Sequence, residues 1–179
     1  AAVVSSLNEH NLPTAFAAIT NAGLEREPER NFFNELLQLA AGMKSEDAIQ
    51  VAIQQVIPER PTTDIAAWQF EAITSLLAGL GTEATPESTR LVNQKDRIIS
   101  FREIAEKGAT DTAAPLDLRS AAIGLLGRTH SWSDATNFEL LADLLQPFHA
   151  SALQIAALEA LCHGDTPEIG TAILGRLRE

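Results

Sequence analysis

The sequence predicts an all-α fold, an α-α superhelix of about four to five helix pairs. Three observations lead there. The first is a repeated word. Leu118-Arg119-Ser120-Ala121-Ala122-Ile123-Gly124-Leu125-Leu126 returns 35 positions later as Leu153-Gln154-Ile155-Ala156-Ala157-Leu158-Glu159-Ala160-Leu161. A looser copy lies earlier, at Glu71-Ala72-Ile73-Thr74-Ser75-Leu76. Self-similarity at a fixed period is the mark of stacked helical units. The second observation is composition. Tyr is absent, Ala, Leu and Glu dominate, and no stretch alternates apolar and polar residues in the manner of a strand. The third is punctuation, since the 8 prolines fall between apolar-periodic stretches, where helices start and stop.

The helices follow in order, with ends good to about two to four residues. A first covers about 13–22, followed by about 28–42, 45–57 and 63–80. A longer, highly charged helix is expected over about 86–108, with an apolar stripe of Leu91, Ile98, Phe101, Ile104 and Ala105 on one side only. Four more lie near about 116–128, 134–146, 150–162 and 167–178. Thr85-Pro86-Glu87 and Thr166-Pro167-Glu168 are matching start signals: Thr caps, Pro needs no N–H partner, and Glu favours the positive helix end. Ser45-Glu46-Asp47 has the same logic, and Pro58 ends that helix.

On the helix near 150–162, Leu153, Ala157, Ala160 and Leu161 share one face, and Ile155, Leu158 and Cys162 share a second. Two apolar faces imply a helix covered on more than one side. Most glycines are expected at helix C-termini. Gly124 and Gly175 fall inside helices and are expected to mark close contacts. The stretch 1–179 reads as a single helical-repeat domain, with a junction between sub-blocks near the small-residue loop 108–115. Its first residue is not Met and its last residues still read as helix, so it is expected to be a fragment of a longer chain.

Charge and chemistry exclude more than they assign. The formal net charge is −11, from 13 basic and 24 acidic residues. Phosphate backbones need clustered Lys and Arg, so nucleic acid is not expected as a partner. No apolar run is long enough for a membrane span. The single cysteine rules out an intrachain disulfide and a Cys-rich metal site.

His10, His130, His149 and His163 show no metal-ligand spacing. Cys162 and His163 are adjacent, so on a helix they point about 100° apart and do not face each other. Cys162 is expected to be a buried, inert thiol. No glycine-rich phosphate loop occurs. Catalytic, cofactor-binding and metal residues are therefore assigned to none of the side chains. The candidate interaction surface is Arg128, His130 and Trp132, at the turn that follows the first copy of the repeated word. Trp132 and its earlier counterparts, Trp68 and Phe70, sit within the apolar repeat pattern, where packing between helices is the expected role.

The stretch Leu118–Glu179 resembles something more particular than a generic HEAT/armadillo-like solenoid. The words Asp117–Arg128, Leu140-Leu141-Ala142-Asp143-Leu144-Leu145-Gln146-Pro147, Leu153–Leu161 and Asp165-Thr166-Pro167-Glu168-Ile169 occur in that order. The order is similar to the helical-repeat segment of the large haem-binding proteins of planctomycetes and verrucomicrobia. In that family a sugar-dehydrogenase-like propeller precedes the repeats and a cytochrome c domain follows.

The resemblance implies a non-catalytic module that spaces domains or binds a protein partner within an exported or periplasmic redox protein. Haem c would then belong to a separate domain, because its Cys-x-x-Cys-His attachment needs two cysteines and this stretch has one. Two other readings stay open, a free-standing HEAT-like scaffold and a HEAT-like enzyme such as a lyase.

Overall fold

A computed structural model describes residues 6–24, 26–59, 65–81, 84–85, 88, 90–129 and 137–163. Among these residues the fold is all-helical, with eight α-helices and no strand. They are α1 (Leu12–Ala22), α2 (Glu27–Met43), α3 (Glu46–Val56), α4 (Ala67–Leu80), α5 (Lys95–Thr110), α6 (Leu116–Arg128), α7 (Asn137–Asp143) and α8 (Ser151–Leu161). None is long and apolar enough to cross a membrane. The helix expected over 167–178 and the Thr166-Pro167-Glu168 start lie outside the described residues.

The chain forms two compact units, Ala1–Thr62 with Ser75–Ile98, and Thr63–Thr74 with Ile99–Glu179. The division falls inside α4 and inside α5, and the loop 108–115 lies wholly in the second unit.

In the first unit α1, α2 and α3 pack on one another. Leu12 and Phe16 of α1 are fully buried, and Phe16 meets Phe33 of α2 edge to face at 5.3 Å, an arrangement that suits the ring quadrupoles. At α1, α2 and α3 the start signals behave as the sequence implies, whereas after Thr85 no helix begins among the described residues before Val92, Pro86 and Glu87 lying outside them. Pro13 and Pro28 sit in the first turns of α1 and α2. Ser45 caps α3 through its side chain, which accepts from the Ala48 N–H at 3.4 Å. Between α2 and α3, Lys44 takes a left-handed conformation with φ 56°. That lets the N–H groups of Lys44 and Ser45 reach back to the carbonyls of Ala41 and Ala40 and satisfies the helix end. The Lys44 carbonyl in turn accepts from Arg90 Nε at 3.4 Å.

The second unit contains both copies of the repeated word. Phe70 of α4 and Phe101 of α5 are buried against each other at 4.9 Å, so Phe70 is a packing residue as the pattern implies. Arg119 is buried, and its Nε donates to the Ala109 carbonyl at 3.2 Å near the end of α5. This supplies a donor where a helix leaves its last carbonyls unpaired. Arg102 is also buried and forms an ion pair with Glu106 one turn on, at 2.8 Å.

Two helices are shorter than the sequence suggests. The expected helix over about 86–108 becomes α5 from Lys95, preceded by a 3₁₀ turn at Val92–Gln94. Ser88 and Asn93 lower helix propensity there, and the Leu91 and Gln94 amides bond three residues back instead of four. The helix expected over about 134–146 survives as α7, and it ends at Asp143. Pro147 disfavours helical backbone at the preceding residue, and the Leu145 and Gln146 amides close tight turns onto Ala142 and Asp143.

Candidate interaction surface

Of the three residues of the predicted surface, the structure places Arg128 alone. His130 and Trp132 lie outside the described residues. Arg128 occupies the last turn of α6, where a cation complements the helix dipole. It is half-buried, and its Nε is shielded from solvent without a hydrogen-bond partner. The helix stops just beyond it. Thr129 is fully buried, and its hydroxyl donates to the Leu125 carbonyl at 2.9 Å. Competition of this sort with the backbone ladder weakens a helix end.

The histidines do not converge. His10 and His163 are exposed, while His149 is half-buried with its ring 4.3 Å from that of Phe148. Among the described residues, no group of three or more His, Cys, Asp or Glu is placed to hold a metal ion.

The surface that sequence reasoning missed lies on α8. One face of this helix, Leu153, Ala157, Ala160 and Leu161, is buried. The other, expected to be covered, is not. Ile155 is 58 % exposed, Leu158 is 44 % exposed, and Cys162 is exposed as well. The expectation of a buried Cys162 is therefore corrected: its apolar stripe exists but faces outward. The three residues are spaced i, i+3 and i+7, which places them on one line along the helix.

Just before α8 the turn carrying Phe148 is held in shape by Gln154, whose side-chain amide donates to the carbonyls of Gln146 (2.9 Å) and His149 (3.2 Å). Phe148 stands at 80 % exposure on that braced turn. Single exposed apolar residues are ordinary on a protein surface, whereas large contiguous apolar patches are not.

Repeat register was the available signal. Position 155 corresponds to 120, 158 to 123, and 162 to 127. In α6 the last of these positions faces α8: a Cβ on Gly127 would meet the Ala160 Cα and Cβ at 2.6 Å. Ile123 and Gly127 are thus buried in the first copy, whereas Leu158 and Cys162 are exposed in the second. Comparison with family models, with curated proteins and with solved structures found no match to this chain.

Proposed function

We propose that the chain is a non-catalytic helical-repeat module, a solenoid of HEAT-like type, that binds a protein partner or spaces neighbouring domains of one chain. The observation that supports this reading most is the pairing of the two repeated words. The 35-residue repeat corresponds to direct stacking: α6 and α8 pack on each other, with Gly127 closed against Ala160. In repeat architectures each unit contacts its neighbours, and successive units build an extended surface for partners. The predicted surface at Arg128, His130 and Trp132 and the exposed row on α8 both belong to this repeated part of the chain.

The resemblance of residues 118–179 to the helical segment of haem-binding proteins adds a context for the module. It would sit between redox domains of a larger exported protein, with haem c held by a separate domain. The reading frame on either side of this sequence tests that context. A strand-rich domain upstream and a Cys-x-x-Cys-His motif downstream are expected. A frame with neither would overturn the redox context, and the repeat module would then stand as a scaffold.

A further inference from the structure

We draw no further inference here: the strongest candidate, the exposed apolar row of Ile155, Leu158 and Cys162 along α8, carries nothing because nothing in the structure shows what covers it.

Discussion

Two glycines of α6, three residues apart, have opposite sensitivities. The space around each backbone sets the difference. A Cβ at Gly127 would lie 2.6 Å from the Cα and Cβ of Ala160 and 3.0 Å from its carbonyl oxygen. These are backbone-anchored atoms, so relief requires α6 and α8 to move apart. Gly127→Ala is expected to cost about 1–3 kcal/mol, the range for overpacking a close contact. At Gly124 the nearest atom is the terminal methyl of Thr74 at 3.9 Å, an ordinary contact. Gly124→Ala is expected to stabilise by about 0.5–1 kcal/mol, because a helix-interior glycine carries an entropic penalty. Urea melts of the two variants check both signs. Equal effects would mean that α6 and α8 do not approach as closely as the structure has them. The sequence marks Gly124 as the close contact and leaves Gly127 among the helix-ending glycines. Spacing identifies a glycine inside a helix, but which side of the helix meets a backbone is a tertiary fact.

Helix boundaries carry the next prediction, at the α2–α3 junction. Lys44 holds φ 56°, a region that disfavours a side chain. The junction needs that conformation to close the end of α2. Lys44→Gly is therefore expected to stabilise by about 0.5–1 kcal/mol. Ser45→Ala removes the cap of α3 and is expected to cost about 0.5–1 kcal/mol, toward the low end for caps because the bond is long at 3.4 Å. Thermal melts of the single and double variants test whether the two effects oppose each other.

This junction also shows how much of the fold the sequence carries. Ser45-Glu46-Asp47 and Pro58 locate α3 to within a residue or so, since caps and breakers act locally. α6 and α8 are located as well, because the repeated word is itself helical in period. α5 and α7 are overextended because a propensity reading does not see local amide bonding. At Leu91, Gln94, Leu145 and Gln146 the amides bond three residues back. The candidate surface is legible in part. Arg128 is at a helix end as expected, whereas the open row of α8 looks in sequence like any buried apolar face. Periodicity reports that a face is apolar, and only the neighbours determine whether it is covered.

For the whole molecule the dominant electrostatic fact is net charge. A formal charge of −11 over 179 residues repels itself most strongly when the chain is compact. Local attractions exist, such as Arg102 with Glu106 at 2.8 Å, but that pair is largely buried on the arginine side and is screened little by salt. Exposed acidic residues are the groups that added ions reach. Raising NaCl from about 10 mM to about 150 mM shortens the screening length from roughly 30 Å to roughly 8 Å, which removes repulsion across the molecule and leaves the short buried pair intact. The thermal midpoint is therefore expected to rise by a few degrees. For a protein of this size about 2–4 °C corresponds to 1 kcal/mol. A midpoint that falls with salt would show that surface attractions outweigh the repulsion. The same charge predicts no retention on heparin and no shift of duplex DNA at about 150 mM salt, because counterion release needs clustered cations to drive it. Binding to either polyanion would mean that the 13 basic residues converge on one face, which would move the search for a partner away from the apolar row of α8 and toward phosphate.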